Sequence, residues 1–157
     1  MKLTALTLAG VLVAGAALAN GVAPDEVTYG EYGEVEASLS GAEGNADKGR
    51  EIFSTKSMGN CVSCHAVSAL PDVPFQGEVG PMLDGVGGYR SAEELRGIVA
   101  NAKMTFEGTV MPAFYKTSGF IRPGDGYTGK AAEGPLEPIL SAQDVEDVVA
   151  FLMTLQD

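Results

Sequence analysis

The chain has 157 residues, a length that suits one globular domain. Its formal net charge is −11 at pH 7. Such an acidic surface repels phosphate backbones and anionic lipid, which excludes nucleic acid as a partner and argues against binding to a membrane surface. The chain contains two cysteines and one histidine, so thiol and imidazole chemistry is confined to three side chains.

The first 19 residues have the pattern of a secretory signal peptide. Lys2 precedes an apolar run from Leu3 to Leu18, and the small residues Ala17 and Ala19 suit cleavage before Asn20. The apolar run is short for a membrane span, and an uncleaved anchor is the alternative interpretation. After cleavage no further span is expected in the chain.

Residues 20–44 are acidic and contain several glycines, without a sustained apolar period. This pattern predicts an irregular N-terminal arm. Mobility is the first expectation for such a terminus, and docking on a partner is the alternative. Residues 45–157 are expected to form the single folded domain.

The first helix of that domain is predicted to begin after Asn45, a residue that is favoured as an N-cap. Ile52 and Phe53 are expected to face inward. Gly49 is costly within a helix, so its missing side chain indicates that another helix approaches closely at this point.

Both cysteines and the histidine fall in one segment, Asn60-Cys61-Val62-Ser63-Cys64-His65. Two thiols separated by two residues can add across the two vinyl groups of one haem, and a histidine directly after the second thiol then lies under the iron. We therefore predict one covalently attached haem c. In this interpretation Cys61 and Cys64 are the thioether attachment points and His65 is the proximal ligand.

Other uses of a Cys-x-x-Cys pair explain this segment less well. A thioredoxin-like dithiol belongs beside a βαβ pattern, which the sequence does not contain. A structural zinc site needs four protein ligands, so it would require an acidic fourth ligand here. A plain disulfide would leave His65 without a role.

A loop rich in proline and glycine is predicted from Leu70 to Gly88. We expect this loop to pass under the proximal side of the haem. There the backbone carbonyl of Pro81 would accept the Nδ1 proton of His65 and fix the orientation of the ring. An ordinary surface turn is the alternative.

Two further amphipathic helices are predicted. Ser91 begins a capping-box pattern, and the helix that follows should end near Lys103. Ser141 begins a similar pattern before the last helix, which we expect to pack across the first. The segment from Met104 to Gly134 is mostly loop. Because no strand-like alternation is present, the predicted fold class is all-α.

The second axial ligand has to be sought outside histidine, because His65 is the one histidine of the chain. A thioether sulfur is a soft ligand that suits low-spin haem iron and raises its reduction potential. Met111 is the best of the methionines, since Pro112 biases it toward an extended conformation that can be held rigidly over a haem face. The alternative is a methionine that fills the core.

In this order of elements the chain resembles a class I cytochrome c. The resemblance rests on an N-terminal helix, Cys-x-x-Cys-His, a Gly-Pro-x-Leu-x-Gly loop, a middle helix, a Met-Pro loop and a C-terminal helix. It implies a few helices around one covalent haem. It also implies that Pro81 accepts the histidine proton, that Met111 is an axial ligand, and that Arg90 binds a haem propionate, although Arg90 stands about one residue from the family position.

Four segments also resemble the SoxX family of small cytochromes; they are residues 45–50, 94–99, 108–115 and 142–155. This resemblance implies a periplasmic heterodimer with a SoxA-type cytochrome, which joins thiosulfate oxidatively to a cysteine of the SoxYZ-type carrier protein. Electrons released there would pass through this chain to a small electron-acceptor cytochrome. The resemblance thus implies the electron-transfer subunit of an L-cysteine S-thiosulfotransferase.

The residues fit that division of labour. If Cys61 and Cys64 are both thioethers, the chain has no free thiol, so it cannot itself carry a persulfide. A free-standing periplasmic electron carrier is one alternative, and the segment from Thr117 to Pro138 argues mildly against it. A haem enzyme with an open sixth position is another, and it requires that Met111 does not bind iron.

Overall fold

A computed structural model describes residues 21–121 and 130–156, and within these residues the chain is helical and forms no β-strand. The predicted all-α class is therefore confirmed. The predicted signal peptide, residues 1–19, lies outside the described residues. The α-helices of the described residues are α1 (Ala46–Ser54), α2 (Val86–Tyr89), α3 (Ala92–Asn101) and α4 (Ala142–Met153), with 3₁₀ turns at Cys61–Ser63 and Ala102–Met104.

Three of the helices begin where the sequence predicts, because each has a side chain that accepts from the free N–H groups of its first turn. The Asn45 side chain accepts from Lys48 N at the start of α1. Ser91 and Ser141 open α3 and α4 with complete capping boxes. α3 ends at Asn101, and the 3₁₀ turn carries the chain on past Lys103.

The core forms where α1 crosses α4. The rings of Phe53 and Phe151 lie 5.4 Å apart between centroids at an interplanar angle of 60°. A Cβ at Gly49 would overlap the backbone carbonyl of Asp147, which confirms the close helix approach predicted there. Ile52 and Phe53 are each 1% exposed. Burial of each such side chain contributes roughly 1.5–3 kcal/mol to stability.

The N-terminal arm, residues 21–44 of the described chain, contains no helix or strand and packs against α3 and α4. Val35 and Leu39 are buried in the core. Glu146 of α4 accepts from Leu39 N at 2.7 Å, and Arg96 of α3 donates to the Val35 carbonyl at 2.7 Å. These buried contacts differ from the mobility expected for this segment.

The predicted loop from Leu70 to Gly88 runs into a short helix, α2, which the sequence pattern did not indicate. Gly87 N of α2 donates to the Leu155 carbonyl at 2.7 Å, so this turn closes onto the segment that follows α4. Among the described residues, no helix combines the length and apolarity needed to cross a membrane.

Candidate haem-binding site

The Cys-x-x-Cys-His segment forms one tight turn that begins seven positions after the last residue of α1. Asn60 adopts the left-handed conformation with φ 50°, and the 3₁₀ turn follows it. The carbonyl oxygen of Cys61 accepts from both Cys64 N and His65 N at 3.0 Å. This turn brings the two thiols and the imidazole together, which is the arrangement that attachment and ligation of one haem require.

An apolar cavity of about 290 Å³ opens beside this turn. Its walls include Phe53 of α1, Leu95 of α3, and Val148 of α4. The predicted site residues on its lining are Cys61, His65, Pro81, Arg90 and Met111. Cys64 is not on the lining but immediately precedes His65 in the turn. The fold thus brings predicted site residues separated by up to 50 positions to one cavity.

The imidazole of His65 is held from the loop that precedes α2. Its Nδ1 lies 2.8 Å from the Pro81 carbonyl oxygen, the acceptor that the sequence predicts. With Nδ1–H donating there, the lone pair of Nε2 is free to bind a metal. A Cβ at Gly80 would overlap the imidazole ring, so this position needs a residue without a side chain.

The backbone of Met111 is fixed by hydrogen bonds at both its N–H and its carbonyl group. Its N–H donates to Thr109 Oγ1 at 3.2 Å, and its carbonyl accepts from Lys103 Nζ at 2.8 Å. The loop then returns to α3, where Tyr115 N donates to the Ala100 carbonyl at 3.0 Å. These contacts hold the Met111 thioether at the cavity.

Among the described residues that line the cavity, Arg90 carries a permanent positive charge, and no Asp, Glu or Lys is present there. Its Nη1 donates to Glu94 Oε1 at 3.0 Å, and its guanidinium lies 5.8 Å from the centroid of the Phe106 ring. A guanidinium carries five N–H donors, so donors remain for an anionic group in the cavity. A haem propionate is such a group.

The Cys61 thiol lies in an apolar environment. Burial raises the pKa of this thiol to about 12. Reactive Cys-x-x-Cys dithiols instead have lowered pKa values, since the thiolate is the nucleophile. A thiol that stays protonated at neutral pH is poorly suited to disulfide exchange, which argues against the thioredoxin-like interpretation.

The lining fits a haem in each respect that these residues test. The walls are apolar, two thiols and an imidazole lie on one turn, a thioether lies on the same cavity, and one cation is available for a carboxylate. Within residues 21–121 and 130–156 no group of three His, Cys, Asp or Glu side chains is arranged to hold a metal ion. The imidazole and the thioether on this cavity are ligand types that hold haem iron.

Gly80 and Lys103 are the contributors that the sequence analysis did not assign to the site. Gly80 belonged to the Gly-Pro pair of the predicted loop, but only the path of the chain shows that it touches His65. Lys103 marked a helix end in the sequence. No pattern in the sequence indicates its bond to the Met111 carbonyl, which spans eight positions along the chain.

Comparisons with known proteins agree with this geometry. The cytochrome c family model matches residues 46–156. The structure is similar to a chain in the crystal structure of SoxXA from P. pantotrophus, with 61% sequence identity over 87% of this chain and 99% of that chain, and a TM-score of 0.83. Among curated proteins, none matches significantly.

These matches confirm two predictions made from the sequence. The cofactor is one covalently bound haem c, since the family match spans the Cys-x-x-Cys-His segment. The resemblance to SoxX is confirmed by the identity to a SoxXA chain over nearly its whole length. The chain therefore belongs to the cytochrome c family and is a cytochrome of the SoxX type.

Proposed function

We propose that this chain is the electron-transfer subunit of a periplasmic SoxXA-type complex, an L-cysteine S-thiosulfotransferase. The observation that carries the proposal is the apolar cavity lined by both His65 and Met111, in a chain 61% identical to a chain of SoxXA. Haem c, when bound, carries one electron at a time between its ferrous and ferric states.

Each site residue has a distinct task in this proposal. Cys61 and Cys64 would attach the porphyrin through thioethers. His65 would ligate the iron through Nε2, with its ring held by the Pro81 carbonyl. Met111 would supply a thioether ligand, whose neutral sulfur would favour the reduced state and raise the potential. Arg90 offers a guanidinium to a propionate.

The cavity itself argues for electron transfer and against chemistry on a substrate. Among the described residues of its lining there is no carboxylate, and the titratable side chains are Cys61, His65, Tyr89 and Arg90. With Cys61 and His65 committed to the cofactor, this described lining offers no further histidine or carboxylate to act as a general base. A haem enzyme with an open sixth position would need such a group to activate peroxide.

Sulfur chemistry then belongs to the partner. Joining thiosulfate to a carrier thiol forms one S–S bond and releases one proton and two electrons. A SoxA-type subunit would bind thiosulfate and receive the thiol of a SoxYZ-type carrier. This chain has no free thiol once both cysteines are thioethers, so it would accept the electrons singly and pass them to a small acceptor cytochrome.

The export signal and the haem-attachment segment both support the proposed periplasmic location. The predicted signal peptide of residues 1–19 would direct the chain across the cytoplasmic membrane. Attachment of haem to a Cys-x-x-Cys-His segment is completed outside the cytoplasm, so the export signal and the haem segment support each other.

Copurification tests the heterodimer. The haem-loaded chain, expressed with a SoxA-type subunit that carries the affinity tag, should elute in equal amounts with that subunit. Thiosulfate and the carrier protein should then reduce this chain's haem. A monomeric chain that neither binds the subunit nor exchanges electrons with it would support the free-standing carrier instead.

Substitution of Met111 tests the axial ligand. Met111→Ala should abolish the red-region sulfur-to-iron charge-transfer band of the ferric protein and lower its potential. Met82→Ala is the matched control, because Met82 is exposed and absent from the cavity lining. An unchanged band in Met111→Ala would show that another residue is the ligand.

A further inference from the structure

Phe75 combines two features that are unusual for a surface side chain. It is 97% exposed, and its backbone has φ 60°. A positive φ is a genuine outlier for a bulky residue and raises the free energy of the fold. An aromatic ring that is fully exposed to water does not stabilise the isolated chain. The two features together suggest that the ring is presented for a contact that the isolated chain does not make.

The loop that carries Phe75 is clamped to the body of the protein. The Gln76 side chain accepts from Val67 N at 2.6 Å and donates to the carbonyls of Leu70 and Val73 at 2.8 and 3.2 Å. Gly77 N donates to the Val62 carbonyl at 2.8 Å. Rigid presentation of this kind reduces the conformational entropy that an aromatic side chain loses on binding.

This clamp places the loop directly on the haem-attachment turn. Two more backbone hydrogen bonds follow the bond between Gly77 and Val62 along the loop. Gly80 N donates to the Cys64 carbonyl at 2.8 Å, and Leu83 N donates to the Ala66 carbonyl at 3.0 Å. A Cβ at Gly77 would overlap the Ser63 carbonyl. A protein that docks on this loop therefore lies against the segment that holds the haem.

The same loop carries a further exposed apolar residue and negative charge. Met82 is 57% exposed, whereas Val79 lies on the lining of the haem cavity. Glu78 is exposed beside Val79, and hydrogen bonds from Ser68 lower the pKa of the Asp84 carboxyl, which keeps that group ionised. The complementary surface is an apolar pocket with lysine or arginine at its rim. A second copy of this chain is a poor match, because its net charge of −11 is repulsive.

We infer that Phe75 is the anchor of the interface with the partner cytochrome subunit, inserted into an apolar pocket with a basic rim. This inference rests on the proposed heterodimer and specifies the face through which it forms. Aromatic residues that are buried at the centre of an interface commonly dominate its binding energy. Docking at this loop would also bring the partner next to the covalent attachment of the haem.

The test is the substitution Phe75→Asn in the haem-loaded chain. Asparagine tolerates a positive φ, so this change removes the ring and relieves the backbone at once. We expect the dissociation constant for the partner subunit to rise at least about 30-fold, while the melting temperature of the isolated chain stays equal or increases. A ring that is merely structural would instead lower that melting temperature.

Phe120→Asn is the matched control, since Phe120 is also an exposed phenylalanine. The affinity of this variant for the partner subunit should stay within about threefold of the wild-type value. Glu78→Lys provides a second variant that leaves the loop backbone intact, and it should weaken binding through repulsion from the basic rim.

Each outcome of these measurements has a defined meaning. Equal affinity of Phe75→Asn and wild type overturns the inference, and so does an equal loss in Phe120→Asn. Self-association of the wild-type chain that Phe75→Asn abolishes assigns the loop to a second copy and also overturns it. If the wild-type chain does not bind the partner subunit at all, the proposed heterodimer itself fails.

Discussion

The ammonium of Lys103 donates a hydrogen bond to the backbone carbonyl of Met111 at 2.8 Å. Lys103 lies in the 3₁₀ turn after α3, and Met111 lies on the lining of the haem cavity. The bond therefore ties the proposed axial ligand to the end of a packed helix. It explains how a loop residue outside regular secondary structure can be held in one place.

We predict that Lys103→Leu loosens Met111. Loss of a charged hydrogen bond at an exposed site should cost about 1 kcal/mol locally, so the population with Met111 released should rise about fivefold. The red-region charge-transfer band of the ferric protein should disappear at a lower temperature than in the wild type. Lys103→Arg should keep most of the wild-type thermal stability of this band, because arginine can donate the same hydrogen bond. Lys116→Leu should leave the temperature at which the band disappears unchanged.

Gly80→Ala should disturb the proximal side of the site. The new Cβ would overlap the His65 imidazole, so the ring or the loop has to move. We expect a lower haem content per polypeptide and a stability loss of roughly 1–3 kcal/mol. The matched control is Gly108→Ala, because no atom lies within 4 Å of a Cβ at Gly108. Equal haem content in both variants would contradict the prediction.

Arg96 and Glu146 form a buried ion pair with N···O 2.9 Å and side-chain exposures of 10% and 5%. Glu146 also accepts from Leu39 N. Arg96→Met should cost about 3–5 kcal/mol, because it leaves the Glu146 carboxylate buried beside one remaining donor. Chemical denaturation of the haem-loaded protein measures this cost.

The exposed pair Lys48 and Glu51 serves as the control for that measurement, with N···O 2.9 Å and exposures of 64% and 57%. Lys48→Met should change stability by less than about 1 kcal/mol. Similar losses for the two pairs would show that burial does not decide the strength of the interaction here.

Stability should decrease in acid in a way that depends on Asp84. Hydrogen bonds from the Ser68 side chain and backbone lower the pKa of the Asp84 carboxyl from 3.8. Because the folded pKa lies below the unfolded one, this contribution is present above pH 4 and is lost as the pH falls through the folded value. Asp84→Asn should therefore reduce the drop in melting temperature between pH 7 and pH 3.

The same substitution at Asp25, on the exposed part of the N-terminal arm, is the control for the acid measurement. Asp25→Asn should leave most of the drop between pH 7 and pH 3 in place. A wild-type pH dependence in Asp84→Asn would mean that other carboxyls account for the acid sensitivity.

Local chemistry let the sequence predict the helix starts and the haem segment. Asn45, Ser91 and Ser141 cap helices through hydrogen bonds that span three residues, so their effect can be read without knowing the fold. The Cys-x-x-Cys-His spacing is equally local. Pro112 restricts the backbone of Met111, and restriction by the next residue is also a local property.

Contacts between distant segments could be decided only by the tertiary structure. Packing of the arm depends on Arg96 and Glu146, which are 50 positions apart and meet only because α3 packs on α4. The four-residue helix α2 is too short to have a periodic signal, and Gly87 bonds to Leu155 there. The contact between Lys103 and Met111 and the strained, clamped loop at Phe75 likewise depend on the path of the chain. Sequence patterns report hydrogen bonds within a turn, whereas these contacts depend on which surfaces the packed core brings together.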